Sequence, residues 1–430
     1  MLTFSFLLIE TLKEAVGFYF QWWWFFTPLV LWPIFQLAWV NYIQEKYFRG
    51  IKWHLLEIKI SKESERRPKT MDEFFAAIYS VNDVVIDTLY DIFISGMLDA
   101  WFSFEIVSIE GDIHFYIRTP DKNIEMIEAQ IYAQYPDAEI KEVEDYVTDI
   151  PDDIPSKDYE LWGTDMTLGR EDAYPLRTYK DYEDTASGEF IDPISNIIEG
   201  LSKLVKGEQI WMQILIRPTD DSWKKEADDL VLELIGRKDK KKKKKDGIFS
   251  FILSEFFDLG RHTLFGFFST QEALEGKEKK EEKESLSMML HLSPGEKDVV
   301  TAIEESTKRP GFETDIRWIY LSKRDIFNKT KGNALVFSYL AQFGSQDLNY
   351  LIPDSKTKTS AYYFLADYRK ALRKRAILRK YKRREFDKKG YVLNTAELAT
   401  IFHFPTFEVV APMAPRIDAK RGKPPAGLPT

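Results

Sequence analysis

Apolar and polar positions divide the chain into regions of different period. Between Glu14 and Glu45 no charged residue occurs, and VGFYFQWWWFFTPLVLWPIFQLAWVNYI (16–43) is close to unbroken apolar. Beyond residue 51, short alternating runs take turns with runs whose apolar positions recur every three or four residues. WHLLEIKI (53–60) alternates like a half-buried strand. Pro68 breaks the chain, and 70–92 carry a helical pattern. WFSFEIVSIEGDIHFYIRTP (101–120) gives two strands around a Glu110-Gly111-Asp112 turn. DKNIEMIEAQIYAQY (121–135) starts at Asp121 as N-cap and aligns Ile124, Ile127, Ile131 and Tyr135 on one face. AEIKEVEDY (138–146) closes the set as a strand. The order β-α-β-β-α-β is that of a ferredoxin-like split βαβ domain over 51–150.

Weaker echoes follow. A helix (192–206), a strand (210–218) and a helix (220–235) make a second α+β unit over 151–236. A helix (294–307), a strand (315–322) and a helix (325–343) make a third over 286–360, packed with the second. HFYIRTPDKN and MQILIRPTDDS both end a strand in Ile-Arg and a proline before an Asp. Strand termination by proline accounts for this. The alternative is that Arg118 or Arg217 points at a shared ligand. The expected fold class is α+β: an N-terminal transmembrane helix, tandem ferredoxin-like domains, and a basic C-terminal helix with an extended tail.

The apolar run is long enough to span a bilayer. It predicts a flank over 1–14 and a transmembrane helix over 15–44. Trp22, Trp23 and Trp24 lie near one end, Trp39 and Tyr42 near the other, with Trp32 between, as in interfacial aromatic belts. Pro28 and Pro33 kink the helix. Lys46, Arg49 and Lys52 against Lys13 alone put the C-terminal part in the cytoplasm, as a single-pass inner-membrane protein.

Charge adds two features. The net charge is -9, which argues against nucleic-acid binding by the whole chain. From Asp137 to Asp192 there are 18 acids and 5 bases, and from Arg369 to Lys389 12 bases and 2 acids. The basic block lies in the region 361–405, on a helix over 361–384, with Leu365, Tyr368, Leu372 and Ala376 as a narrow apolar stripe. Arg373, Lys374, Arg375, Arg383 and Arg384 are its candidate phosphate or lipid contacts. Three uses fit it: a solvated or lipid-facing helix, phosphate contact, or docking on an acidic face such as the chain's own 137–192 block. Charged linkers over 237–285 flank GIFSFILSEFFDLGRHTLFGFFST (247–270), where Phe249, Ile252, Leu253, Phe256 and Phe257 share a helical face. That face suits the membrane surface or packing on its own domain.

Catalytic signatures are missing. There is no cysteine, hence no disulfide, thiolate metal site or Cys nucleophile. No P-loop, dinucleotide fingerprint or nucleophile elbow occurs. His54, His114, His262, His291 and His403 never approach ligand spacing. No cofactor or metal is implied.

YVLNTAELATIFHFP (391–405) and AKRGKPPAGLP (419–429) resemble the segment that precedes the motor domain in HerA/FtsK-like and type IV secretion-type conjugation ATPases of candidate-phylum bacteria. The N-terminal run and repeated strand–helix units are similar to uncharacterised single-span membrane proteins related to them. The resemblance implies a membrane anchor and docking domains. Nucleotide hydrolysis does not carry over, because no motor core follows before Thr430. On the letters themselves, Asn394 and Glu397 form a capping box, and Pro405 ends the helix before the tail 406–430. Pro424 and Pro425 hold an extended strap; a disordered terminus is the alternative. Glu397, His403, Pro405, Pro424 and Pro425 are the candidate partner-docking residues.

These readings combine into a membrane-anchored, non-enzymatic scaffold or adaptor for a DNA- or protein-translocating ATPase of type IV secretion or conjugation kind. The alternative is a membrane-bound protein that binds nucleic acid or anionic lipid through its basic helix. The partners implied are a lipid bilayer, a separate ATPase, further copies of the chain, and nucleic acid.

Overall fold

The computed structural model describes residues 17, 24, 27, 31–32, 34–61, 64–80, 91–95, 101–183, 190–235, 292–361, 365–386, 390–406 and 416–417. The chain divides into two units. One holds Met1–Ile51, Val85–Leu98 and Lys240–Glu281, and the other holds the remainder.

In the first unit, helix α1 (34–50) carries Phe35, Trp39 and Tyr42 at its N-terminal side, with Trp32 just before it and successive ring centroids 5.9, 6.1 and 6.1 Å apart. The Trp39 indole N–H donates to the Phe93 carbonyl at 2.9 Å. Among the described residues no helix is long and apolar enough to cross a membrane. This overturns the expected transmembrane helix over 15–44, and with it the single-pass inner-membrane location. The physical reason lies in α1 itself. Gln36, Asn41, Gln44, Glu45, Lys46 and Arg49 interrupt it, so its apolar stretch falls short of the roughly 20 residues a span needs. Trp22 and Trp23 lie outside the described residues.

The second unit is built on one antiparallel sheet. Its first half comprises β1 (Trp53–Ser61), α2 (Lys69–Tyr79), β2 (Phe102–Ile109), β3 (Asp112–Pro120), α3 (Ile124–Gln134) and β4 (Glu139–Glu142). The strand order is β4-β1-β3-β2, all antiparallel, as in a split βαβ unit. Glu110 and Gly111 turn the β2–β3 hairpin with φ of 56° and 94°, a left-handed geometry that glycine adopts without strain.

The second half comprises β5 (Tyr159–Leu168), α4 (Ser195–Ser202), β6 (Glu208–Pro218), α5 (Ser222–Leu234), α6 (Pro294–Thr307), β7 (Gly311–Lys323), α7 (Lys329–Ala341) and β8 (Leu351–Pro353). Its order is β6-β7-β5-β8, the same arrangement with the β2–β3 hairpin replaced by the segment that carries α5 and α6. The central strands β2 and β6 pair antiparallel from Phe102↔Ile216 to Ile109↔Gln209. They fuse the halves into one sheet. The expected second and third units are therefore one half, interleaved through β5.

Alternation sorts the side chains. Phe102, Phe104, Ile106, Met212, Ile214, Trp318 and Tyr320 face the main core beneath α2, α3, α4 and α7. Val107, Trp211, Ile319 and Leu321 face the opposite side, beneath the turn after Asp145 and helix α8 (Ala366–Arg383). The chain then adds β9 (Tyr391–Asn394) beside β7 and buries α9 (Thr395–Ile401) completely. Phe402 and Phe404 follow it into the core. The Phe402 ring lies 5.2 Å from Phe104, and Phe404 lies 5.5 Å from Phe115 and 5.2 Å from Tyr135. A last short strand, β10 (Arg416–Ile417), pairs parallel to the end of β1.

Phe402→Ala removes a ring with no solvent exposure and is expected to cost about 3–5 kcal/mol. Chemical denaturation measures this. A loss below about 1 kcal/mol would show that the 391–406 segment is not part of the core.

Candidate functional site

Six neighbouring strands place one residue each on a single register row: Glu57, Tyr116, Glu105, Gln213, Arg317 and Asp165. All six lie on the face that α8 covers. Arg317 is fully buried at its centre, and a buried charge is costly unless paired and hydrogen-bonded. Nε donates to Asp165 at 3.0 Å, Nη1 to Gln213 at 3.2 Å and Nη2 to Asp315 at 2.5 Å. The two remaining N–H groups meet the carbonyls of Lys380 and Glu385 at 3.1 and 2.7 Å. The Lys380 carbonyl lies in the last turn of α8 and the Glu385 carbonyl just beyond it, at the negative end of the helix dipole. Gln213 likewise donates to the Tyr381 carbonyl at 3.3 Å. The row thus ties the C-terminal end of the helix to the sheet.

Glu105 anchors the other end. Its carboxylate accepts from Ser103 at 2.5 Å, Gln213 at 2.9 Å, Tyr146 at 2.7 Å and Arg384 at 2.9 and 3.1 Å. Burial alone would raise its pKa. The Arg384 charge and these hydrogen bonds outweigh that and hold it down to about 2. Arg384, in a left-handed conformation just beyond α8, also pairs with Asp145. Further cations of α8 turn inward: Lys374 to Glu160 at 2.6 Å, Lys380 to Asp165 at 2.6 Å, and Lys382 to Asp152 at 2.5 Å. Every one of these acids, and Asp145, belongs to the 137–192 block. Of the three uses weighed for the basic helix, docking on the chain's own acidic block is the one the geometry displays.

The cations divide by face. Arg373 donates to the carbonyls of Lys358 and Ser360 at 3.1 and 2.5 Å and pins that loop. Arg375, Arg379 and Arg383 are exposed at four-residue spacing and make no ion pair among the described residues. With Asp152, Leu378 and Lys382 they line a groove of about 270 Å³. Like charges at this spacing repel on a helix. The same outward stripe begins with Leu365, Tyr368 and Leu372, which are 58, 64 and 46% exposed. The narrow apolar stripe is thus exposed, and Ile377, Leu378 and Tyr381 pack on the sheet.

The other candidate residues part company. Glu397 is buried: its carboxylate accepts from the main-chain N–H of Asn394 at 2.7 Å and of Leu176 at 2.6 Å. Burial pushes its pKa up to about 7 despite these donors. His403 places one ring nitrogen 2.9 Å from the Ala399 carbonyl and the other 2.8 Å from Asp192. Pro405 is buried beside it. All three face inward and hold the core together, so they offer a partner no surface. Trp24, Trp32 and Trp39 are exposed. Phe249, Phe256, Phe257, Pro424 and Pro425 lie outside the described residues. Among the described residues no group of His, Asp or Glu could hold a metal ion. The polar row escaped the sequence reading, though its signal is present: LLEIKI, FSFEIV, WMQILI, DIRWIY and GTDMTL each set Glu57, Glu105, Gln213, Arg317 or Asp165 within a strand that is otherwise rich in apolar residues.

The chain belongs to the family described as Domain of unknown function (DUF8128), whose model matches residues 44–415. No curated protein matches it. The comparisons give no tie to secretion or conjugation machinery.

Arg384→Met leaves the Glu105 carboxylate buried and unmatched and is expected to cost about 3–5 kcal/mol, with Glu105→Gln in the same chain restoring much of it. Urea denaturation decides, and independent, additive losses would contradict the pairing. The pH dependence has a definite sign. The Glu105 pKa is lower folded, at about 2, than its ordinary 4.5, so the unfolded chain binds the proton more readily. Stability from this pair is complete above pH 4.5 and declines as pH falls toward 2. The double variant should show a shallower acid decline; an unchanged decline would contradict the assignment.

Proposed function

We propose that this member of the DUF8128 family is a non-enzymatic binding module that engages single-stranded nucleic acid through the outward stripe of α8. The observation that carries this reading is the division of the helix's cations. The inner ones are matched by acids of the 137–192 block, and the outer Arg375, Arg379 and Arg383 form a column that makes no ion pair among the described residues. A column of guanidinium groups attracts a phosphate backbone with no sequence preference. Tyr368, exposed farther along the stripe, offers a ring on which a base can stack. Duplex nucleic acid and anionic vesicles are the competing anionic surfaces.

A second reading draws on a different observation. The segment 391–406 that carries the resemblance to translocation ATPases is built into the core, and β10 returns to β1. A tail delivered from so fixed a base suits an adaptor that presents itself to a separate motor protein. Copurification of an ATPase, lost when residues 407–430 are removed, is the outcome that would favour it.

For the first reading, fluorescence anisotropy of labelled oligonucleotides between 50 and 200 mM salt is the test. Reversing Arg375, Arg379 and Arg383 to Glu is expected to weaken single-strand binding at least tenfold and to reduce the salt slope by about 2, given a slope of roughly 0.7 per phosphate contacted. Unchanged binding, or binding to anionic vesicles alone, would overturn the proposal.

A further inference from the structure

The other cations beneath α8 have been given their partners above; Arg118, which is half-buried, is the exception. It lies on β3, on the same face and one register row away from Glu105, between Leu55 of β1 and Ser103 of β2. Its Nη1 is buried and has no hydrogen-bond partner among the described residues. No ion pair reaches it among the described residues. What it does have is a platform: its guanidinium carbon sits 4.4 Å from the centre of the Trp53 ring. Trp101 stands next to Trp53, with ring centroids 5.5 Å apart. Glu105, on the same face, already accepts five hydrogen bonds. Burial, followed by the like charge of Arg384, lowers the Arg118 pKa to about 10.

Taking a guanidinium from water without a counter-charge is costly. The same fold satisfies all five donors of Arg317 three strands away, so it has the means to match a buried arginine. A charge left unmatched in such surroundings is the mark of a group kept for a ligand, where local stability is given up for binding. Arg118 is also pre-organised. Stacking on Trp53 fixes the plane of the fork, and a fixed fork loses little freedom when two parallel N–H groups meet an oxyanion.

We infer that Arg118 is the cationic half of a binding site for an oxyanion, a carboxylate or phosphate group presented at the Trp53–Trp101 corner of the sheet. The site is separate from the arginine column of α8 and does not depend on nucleic-acid binding there. It gives the Ile-Arg-Thr-Pro ending of β3 a role that its counterpart in β6 lacks, since Arg217 is paired with Glu313.

Thermal unfolding of the full chain tests this, with inorganic phosphate and acetate titrated against chloride at constant ionic strength. The Arg375, Arg379 and Arg383 to Glu variant serves as the background, so that α8 cannot supply the response. A saturable rise in Tm of about 2–4 °C is expected with one or both anions, and comparing them identifies the group preferred. Arg118→Met should raise Tm in chloride alone, because it removes an unmatched charge, and should abolish the saturable rise. A response that survives Arg118→Met, or no response in the parent, overturns the inference. Should Arg118→Met fail to fold, Arg118→Lys decides. It keeps the charge and loses the planar fork, so half-saturation should need at least tenfold more anion, and an unchanged requirement overturns the inference equally.

Discussion

Arg317 has five N–H donors and no access to solvent, and each donor meets an acceptor drawn from three strands and one helix end. Much of the second unit can be traced to that requirement. Asp165 must lie beside it, which places β5 against β7. Gln213 must lie on its other side, which aligns β6 with β7 and passes the row on to Glu105. The carbonyls of Lys380 and Glu385 must point down at it, which seats the C-terminal end of α8 on the sheet. Removing any one of these leaves a buried polar group unsatisfied, and such groups cost more than the bond they lose. Register and helix position are therefore coupled through one side chain.

The strand order repeats, but the chemistry does not. Both halves run through the same topology and meet at β2 and β6, and the polar row crosses that boundary at Glu105 and Gln213. In the first half the row carries Tyr116 where the second carries Arg317. The charge on Arg317 is balanced by Asp165 and Asp315, whereas Arg118 in the first half has a buried nitrogen with no hydrogen-bond partner among the described residues. A duplicated frame has thus been given two different polar interiors.

Local pattern made many of the elements legible. The alternation of WHLLEIKI, the Glu110-Gly111 turn, the spacing of Ile124, Ile127 and Ile131, and the capping of Thr395–Ile401 by Asn394 are short-range signals, and the chain follows them. The strand Tyr159–Leu168 was not legible, because it sits in an acidic stretch and its apolar partners, Trp318 and Ile319, lie about 150 residues later. Pairing across such distances leaves no trace in the local period. The aromatic run near the N-terminus misled for the opposite reason: its composition suggests a bilayer, while the described helix there soon turns polar. The basic helix was found, but its orientation was not. A stripe of Leu365, Tyr368 and Leu372 looks like a buried face until the acids that claim the other side are placed. His403 and Glu397 were read as surface contacts because their partners, Asp192 and the Leu176 N–H, are remote in sequence.

The central claim is that α8 belongs to the folded sheet and is not an arm laid against it. Native-state hydrogen exchange, resolved by residue, tests this most directly. The amides of Ile377, Leu378 and Tyr381 are expected to exchange as slowly as those of β2, β6 and β7, through the same cooperative opening. Exchange in α8 at the rate of an isolated helix, with the central strands still protected, would show that the helix undocks freely and would contradict the role assigned to Arg317.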